Sequence, residues 1–305
     1  MKKTYRFNSI ETENIFNRFG KSFYNKVLTD ISAYSFKWNL SIIELIQSYS
    51  ANLVFKCYSD DNGDALLKIG GPAIGGILTE YNTLLEYNGK PFCKVYEADL
   101  SNNVMLAEWI HPGTPLRDED CLDKRLSVFL NIYRNLHKEP SNSEIYPTYT
   151  EWVIRITEYM SSRQDCHAFY LHMQKAKEIC LSISKEYSRR MLLHGDFHHD
   201  NILLGSRGDY MIIDPKGVIG DPVFDIPRFI LNEFGDDITP ELYTKINRII
   251  SNFEANLNIP NEVIRKCLYV ETVMGTCWCL ESGATIDEYP KLMESIAFAE
   301  SIMDC

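Results

Sequence analysis

Two aspartates and an asparagine stand out in the segment 193–225 because of their spacing. Asp196 and Asn201 form an Asp-x-x-x-x-Asn pattern, and Asp214 ends the second of two short apolar runs that enclose a glycine-containing turn. This pattern predicts a loop followed by a β-hairpin, with a carboxylate at the end of the second strand. Kinase catalytic loops combine a carboxylate beside the acceptor hydroxyl with an amide and a second carboxylate that hold Mg²⁺. We therefore predict that Asp196 is the catalytic base, or orients the hydroxyl, and that Asn201 and Asp214 bind Mg²⁺.

The sequence around these residues resembles that of the aminoglycoside phosphotransferases, which are small-molecule relatives of the protein kinases. The matching stretches are 194–203 (His-Gly-Asp-Phe-His-His-Asp-Asn-Ile-Leu), 213–217 (Ile-Asp-Pro-Lys-Gly) and 220–225 (Gly-Asp-Pro-x-x-Asp). Within this group the chain looks most like the streptomycin 6-phosphotransferase and hydroxyurea phosphotransferase family, from about Trp38 to about Gly283. Further matches to the family are Leu66-Leu67-Lys68, Tyr87-Asn88-Gly89, Pro112-Gly113 with Leu116, and Trp278-x-Leu280-Glu281-x-Gly283.

The elements that must position these residues can be read from the hydrophobic pattern. Residues 1 to about 40 have helical periodicity, and the chain is again helical from 118 onward, apart from the catalytic loop. Runs of β-forming residues lie between these helical parts, at 42–46, 53–58, 65–69, 92–98 and 104–110. The order indicates an α+β protein with a bilobal, protein-kinase-like fold: a small lobe with a five-stranded antiparallel sheet, and a large, mainly helical lobe. We predict a domain at 1–110, containing an N-terminal helix and the nucleotide-binding small lobe, and a second at 111–305, containing the catalytic loop and the substrate site.

Lys68 lies in the third predicted strand, and Glu80 lies on the helical segment 77–87 that follows it. On strand position alone, Lys68 would be interpreted as an exposed charge at the edge of the sheet. In kinases, however, a lysine of the third strand grips the α- and β-phosphates and pairs with a helix glutamate. The combination favours a nucleotide-binding role for both residues.

The resemblance also implies where the rest of the nucleotide would bind. The segment between the first two strands would cover the phosphates, with Ser50 and Asn52 as candidates by position, although it lacks the glycines of protein-kinase loops. The carbonyl of Glu108 and the amide of Ile110 would contact the adenine edge. Trp109 between them is at least equally well interpreted as a packing residue.

Three residues near the predicted base are assigned supporting roles. His194 and His198 flank Asp196 and are predicted mainly to shape the loop, although a histidine there could stabilise charge. Asp225 precedes a predicted helix, where it could simply cap the N-terminus. In kinase-like folds an aspartate at this position braces the catalytic loop, and we assign Asp225 that role. Lys216 either touches phosphate or fixes the loop, and the sequence does not distinguish these alternatives.

Trp278 and Glu281 are candidate substrate-binding residues, because carboxylates beside an aromatic ring suit guanidinium or ammonium groups. An ordinary exposed acidic helix end is an equally good interpretation of Glu281, and of the neighbouring Asp287 and Glu288. The same alternatives apply to a second acidic cluster at 233–237.

The composition limits the possible partners. The 305 residues carry a formal net charge of −11, and 45% of them are hydrophobic and 24% charged, as in ordinary globular proteins. The negative charge argues against nucleic-acid binding, which requires a basic surface, and would suit a cationic small-molecule substrate. Many cytosolic proteins are equally acidic, so the charge alone does not identify the substrate.

Nine cysteines, an odd number with no Cys-x-x-Cys pair, favour reduced thiols. No apolar run follows Met1 as in a signal peptide, and no run of about 20 apolar residues predicts a membrane span. We therefore expect a cytoplasmic protein that binds neither membranes nor nucleic acids. The sequence does not predict its oligomeric state.

These observations predict an ATP- and Mg²⁺-dependent small-molecule O-phosphotransferase, with GTP as an alternative donor. The resemblance favours a hydroxyl of an aminoglycoside antibiotic such as streptomycin as acceptor, which would confer resistance. One alternative is a kinase of an ordinary metabolite, such as an amino sugar or an alcohol. Another is a non-catalytic, nucleotide-binding pseudokinase, which would usually lack one of Lys68, Asp196, Asn201 and Asp214; all four are present.

Overall fold

The computed structural model describes residues 5–49, 51–72, 76–235 and 237–304. The chain divides into two compact units, each assembled from separate parts of the sequence. The first comprises Met1–Thr114 and Leu203–Lys216, and the second comprises Pro115–Ile202 and Gly217–Cys305.

The first unit begins with the long helix α1 (Ser9–Lys37). Its N-terminus carries a capping box, in which the Asn8 side chain accepts a hydrogen bond from the Glu11 amide and the Glu11 carboxylate accepts one from the Asn8 amide. Gly20 interrupts the helix with φ 82° and ψ 166°, a conformation that glycine adopts without strain. The resulting kink divides α1 into two helical segments.

The predicted five-stranded antiparallel sheet is confirmed. Its spatial order is β1-β2-β3-β5-β4, and every neighbouring pair is antiparallel. The helix α2 (Gly76–Tyr87) connects β3 to β4. The strands are β1 (Leu40–Leu45), β2 (Asn52–Ser59), β3 (Gly63–Gly70), β4 (Val95–Asp99) and β5 (Val104–Glu108).

Strand alternation determines which face of this sheet carries Lys68. Leu67 and Ile69 of β3 point to the face that packs against α1 in one buried core. Lys68 lies between them and pairs in register with Val54 and Met105, so its side chain points to the opposite face. The other buried residues of the α1-facing core are Ile15, Phe23, Val27, Ile31, Tyr34, Trp38, Leu40, Leu45, Leu53, Phe55, Cys57, Ala65, Val104 and Leu106.

A second, three-stranded sheet combines β6 (Pro112–Pro115) with the hairpin of β8 (Ile202–Gly205) and β9 (Tyr210–Ile212). The sequence-based division at residue 110 had placed this hairpin with the second domain. It belongs instead to the first unit, because the Cys93 amide donates to the Ile212 carbonyl (3.0 Å) and the Ile212 amide donates to the Pro91 carbonyl (2.8 Å).

The second unit is mainly helical. Twelve of the 21 residues of one helix, Asn261–Glu281, are buried, and at least five other helices of the unit pack against it. Two short antiparallel strands, β7 (Met191–Leu193) and β10 (Val218–Gly220), complete the unit. The helices are α3 (Leu122–Tyr133), α4 (Tyr149–Ser161), α5 (His167–Glu186), α6 (Pro227–Leu231), α7 (Pro240–Leu257), α8 (Asn261–Glu281) and α9 (Tyr289–Met303). Within the described residues, no helix combines the length and apolar character needed to cross a membrane.

The packing of α1 predicts different effects for two identical substitutions on that helix. Ile15 is 0% exposed and Ile10 is 66% exposed. We expect Ile15→Ala to lower the free energy of unfolding by about 2–5 kcal/mol, because it leaves a cavity beneath the sheet. Ile10→Ala should change it by less than about 0.5 kcal/mol. Urea unfolding of both variants would measure the difference, and equal losses would contradict the observed packing of α1.

Candidate active site

In the second unit, the Asp225 carboxylate braces the turn that precedes Asp196. It accepts hydrogen bonds from the backbone amides of His194 and Gly195, both at 2.8 Å, and lies 2.9 Å from Nε2 of His137. Gly195 has φ 75°, in the left-handed region that favours glycine. The short helix at Pro222–Asp225 is capped by Asp221 instead. Asp225 is 1% exposed, so its contacts fix the backbone from which Asp196 projects.

The two histidines beside Asp196 hold the loop through their ring nitrogens. Nδ1 of His194 accepts a hydrogen bond from the Asp196 amide at 3.1 Å. Nδ1 of His198 accepts one from the Asp200 amide at 3.3 Å, and its Nε2 lies 3.5 Å from Oδ1 of Asp196. Both rings therefore contribute to the loop conformation, and His198 also approaches the reactive carboxylate.

Asn201 is oriented by the same loop. Its side-chain nitrogen donates a hydrogen bond to the Asp196 carbonyl at 2.9 Å and contacts Nε2 of His198 at 3.3 Å. Both contacts use the amide nitrogen, so the amide oxygen is the atom directed elsewhere. An oxygen of this kind is a suitable ligand for a hard cation such as Mg²⁺.

Arg228, in α6, is a charged neighbour of Asp196 that the sequence did not reveal. Its Nε lies 2.9 Å from Oδ1 of Asp196 and 3.3 Å from Oε1 of Glu271 on α8. These are ion-pair contacts rather than directed hydrogen bonds, because the N–H does not point well at either oxygen. Glu271 Oε2 accepts a hydrogen bond from the Tyr149 hydroxyl at 2.6 Å. The available sequence signal was a glutamate inside the apolar run of α8, since a buried charge requires a partner.

In the first unit, the Lys68 ammonium group is held by two carboxylates. Nζ donates to both oxygens of Glu80, at 2.6 and 2.8 Å, and to Oδ1 of Asp214, at 2.6 Å. Burial alone would lower the pKa of Lys68, but the charges of Asp214 and Glu80 outweigh it and raise that pKa above its ordinary value. Burial raises the pKa of Glu80, against the opposing effect of Lys68.

Asp214 has an unusual backbone conformation and a second cationic neighbour. Its φ of 56° lies in the left-handed region, which few residues other than glycine adopt. Oδ2 accepts a hydrogen bond from Lys216 at 2.5 Å. Burial would raise the pKa of Asp214, but Lys68 and Lys216 together hold it well below its usual range. The carboxylate is therefore ionised, as a metal ligand must be.

The other predicted nucleotide-binding residues also lie in the first unit. Asn52 Oδ1 accepts a hydrogen bond from the Gly71 amide at 3.3 Å, at the base of the loop between β1 and β2. Ser50 lies outside the described residues. Glu108 and Ile110 line a cavity of about 580 Å³, and within the described residues the Ile110 amide donates no hydrogen bond.

The predicted substrate residues lie at the C-terminal end of α8. Glu281 accepts hydrogen bonds from both terminal nitrogens of Arg155, at 2.6 and 2.9 Å, so its charge is already paired within the protein. Trp278 packs edge-on against Trp152, with ring centroids 5.6 Å apart. In the second acidic cluster, Glu233 is buried and contacts the side chains of Arg125, His199 and Lys245. Glu233 is therefore a structural residue.

Comparisons with known proteins identify the fold and the family of this chain. The streptomycin 6-kinase of Streptomyces griseus is 21% identical over 256 residues, which cover 82% of this chain and 81% of the relative. The choline kinase LicA from Streptococcus pneumoniae has a TM-score of 0.65 at 16% identity, covering 92% of this chain and 99% of that chain. A thermostable mutant of the aminoglycoside phosphotransferase APH(4)-Ia, solved with ADP and hygromycin B, has a TM-score of 0.63 at 12% identity, covering 90% and 97%. These likenesses confirm the predicted protein-kinase-like fold.

Residues 37–283 match the family model of the aminoglycoside/hydroxyurea antibiotic resistance kinases. This range includes Lys68, Asp196, Asn201 and Asp214, and it agrees with the resemblance seen in the sequence. The chain therefore belongs to the aminoglycoside/hydroxyurea antibiotic resistance kinase family and is a kinase-type phosphotransferase.

Proposed function

We propose that this phosphotransferase transfers the γ-phosphoryl group of ATP directly to a hydroxyl group of an aminoglycoside such as streptomycin, and thereby confers resistance. The observation that carries the proposal is the buried Lys68 ammonium group, held between Glu80 and Asp214. This is the ion pair with which kinases hold the phosphates of a nucleotide. The relationship to streptomycin 6-kinase supports the choice of acceptor.

Lys68 must exchange a partner to bind phosphate. Its ammonium group has three N–H donors, and the contacts with Glu80 and Asp214 use all of them. Glu80 is 5% exposed and remains as the buried counter-charge. The hydrogen bond to Asp214 is therefore the one that a phosphate oxygen replaces. Asn52, Ser50, Glu108 and Ile110 are the further nucleotide contacts that we propose.

The proposed Mg²⁺ ligands are the amide oxygen of Asn201 and the carboxylate of Asp214. Both are hard oxygen donors, and Asp214 is ionised, so their chemistry fits Mg²⁺. Within the described residues, no group of three or more His, Cys, Asp or Glu side chains could hold a metal ion. Mg²⁺ sites in kinases use one or two carboxylates together with substrate phosphates. When bound, the ion would neutralise the charge that develops on the phosphates.

Asp196 is the proposed base. The transition state of phosphoryl transfer is loose, so early proton abstraction contributes little and the orientation of the acceptor hydroxyl matters more. Asp225, His194 and His198 keep the loop in the conformation that presents the Asp196 carboxylate. The bond between the hydroxyl oxygen and the γ-phosphorus would form as the bond from that phosphorus to the bridging oxygen of ATP breaks, ADP would leave, and the hydroxyl proton would pass to Asp196.

The acceptor is proposed to be cationic, because the chain carries a net charge of −11. Trp278 remains a candidate contact, whereas Glu281 would have to leave Arg155 to bind a substrate cation. We also propose a cytoplasmic location. The eight cysteines of the described residues are all free thiols, and ATP is the phosphoryl donor.

Loss of the Asp196 carboxylate should abolish most turnover. Asp196→Ala should lower kcat by about 10²–10⁴-fold, because the hydroxyl is no longer oriented or deprotonated. Nucleotide binding should be largely unchanged. Consumption of ATP with Mg²⁺ should be measured across streptomycin, other aminoglycosides, hydroxyurea and amino sugars, with calorimetry for ATP binding.

Wild-type-like turnover of Asp196→Ala would rule out its role as base. If Asp196-dependent turnover occurs with amino sugars and with none of the antibiotics, the acceptor is an ordinary metabolite and not an aminoglycoside antibiotic. Intact nucleotide binding without turnover of any acceptor would favour a pseudokinase.

Loss of the Asp214 carboxylate should weaken Mg²⁺-dependent nucleotide binding. Asp214→Ala removes a proposed ligand and should lower the apparent Mg²⁺ affinity at least about 10-fold, measured by titrating Mg²⁺ against a fixed ATP concentration. Asp61→Ala is a matched control, because this exposed aspartate lies in the turn between β2 and β3 and does not line the cavity of Glu108 and Ile110. An unchanged Mg²⁺ dependence of Asp214→Ala would exclude the proposed metal role.

A further inference from the structure

Arg228, on α6, contacts the carboxylate of Asp196, the proposed base. Its Nε lies 2.9 Å from Oδ1 of Asp196, and its side chain is only 21% exposed. The same atom lies 3.3 Å from Oε1 of Glu271. One guanidinium group therefore bridges the proposed base and a carboxylate of α8.

The Glu271 end of this bridge is buried and hydrogen-bonded. The Glu271 side chain is 4% exposed, and its other oxygen accepts a hydrogen bond from the Tyr149 hydroxyl at 2.6 Å. Tyr149 is itself 2% exposed, at the start of α4. A carboxylate buried to this extent is stable only with a cationic or hydrogen-bonding partner, so Glu271 keeps Arg228 in place.

Helix α8 also leaves room for the guanidinium group. Gly275 follows Glu271 by one helical turn, and the two residues therefore lie on the same face of α8. A Cβ at position 275 would lie 3.6 Å from a terminal nitrogen of Arg228, which is ordinary van der Waals contact. A longer side chain would compete with Arg228 for space.

We propose that Arg228 is a positioning residue for phosphoryl transfer: it fixes the direction of the Asp196 carboxylate and is itself held by Glu271 and Tyr149. This inference rests on the proposed function, because it assumes that Asp196 acts on the acceptor. The hydrogen bonds between Asp225 and the loop backbone fix the position of the main chain at Asp196, and Arg228 fixes the direction of the Asp196 carboxylate. Arg228 forms no bond with the phosphate or the acceptor in this proposal.

The central experiment compares Arg228→Met in two backgrounds. In the wild-type background it should lower kcat with streptomycin by about 100-fold, because misplacement of a reacting group by about 1 Å can have an effect of this size. KM for ATP should be little changed. In the Asp196→Ala background it should cause no further loss, since Arg228 acts through Asp196. Arg228→Lys should restore part of the activity, because it retains the charge.

Two further variants separate positioning from folding. Arg228→Met leaves Glu271 buried without its cation, so the double variant Arg228→Met/Glu271→Gln removes both charges and should fold well while remaining slow. Arg265→Met is the matched control: Arg265 lies on α8 and donates to the Ile302 carbonyl at 2.5 Å and to Asn247 at 2.7 Å, away from Asp196. It should keep wild-type kcat. A folded double variant with wild-type kcat would overturn the proposal, as would equal losses of kcat in both backgrounds.

Thermal unfolding distinguishes failure of this inference from failure of the proposed function. If the wild-type protein shows no Asp196-dependent turnover, the proposed function fails, but the contact can still be measured. The melting temperatures of wild type, Asp196→Ala, Arg228→Met and the variant with both of these substitutions form a cycle. Non-additive shifts would support the Asp196–Arg228 contact, and additive shifts would overturn the proposal.

Discussion

The buried ammonium group of Lys68 sets a constraint on the first unit. A cation this deep in a protein is tolerated only with negative partners, and Glu80 and Asp214 supply them from two different elements. Glu80 comes from the helix after β3, and Asp214 follows the β8–β9 hairpin. Strand alternation places Lys68 on the sheet face that α1 does not cover, where both carboxylates can reach it. The arrangement of helix, sheet and hairpin thus surrounds a single positive charge.

The second unit also contains a cation between two carboxylates, but here one of the carboxylates belongs to the proposed base. Asp196 and Glu271 are the carboxylates, and Arg228 is the cation between them. Lys68 donates hydrogen bonds to its two carboxylates, whereas Nε of Arg228 contacts both of its carboxylates as an ion pair. Asp225 acts on the backbone of the same loop rather than on its side chain. Backbone and side chain of the proposed base are therefore restrained by separate groups.

Most of the fold and part of the site could be predicted from local patterns. The run of β-forming residues at 65–69 predicted β3, and the helical periodicity from 118 onward predicted the mainly helical second unit. Lys68 and Glu80 were recognisable as a pair because their spacing matches a family pattern. Arg228 and Glu271 were not, because they are distant in the sequence and no local pattern connects a glutamate in an apolar run with the cation that pairs with it. The sequence also did not reveal that α1 packs against the sheet. The sheet residues that contact α1 come later in the chain, and the periodicity of a helix does not show which element it packs against.

The division of the first unit into two sequence segments has a consequence for synthesis on the ribosome. When Thr114 emerges, the sheet and α1 are present, but Leu203–Lys216 has not been made. The whole of Pro115–Ile202 must be translated first, which takes several seconds at ordinary elongation rates. During this interval the amide of Cys93 lacks its partner carbonyl, and Lys68 has Glu80 but not Asp214. The nascent first unit therefore acquires its final hydrogen bonds and charge balance only after most of the chain has been translated.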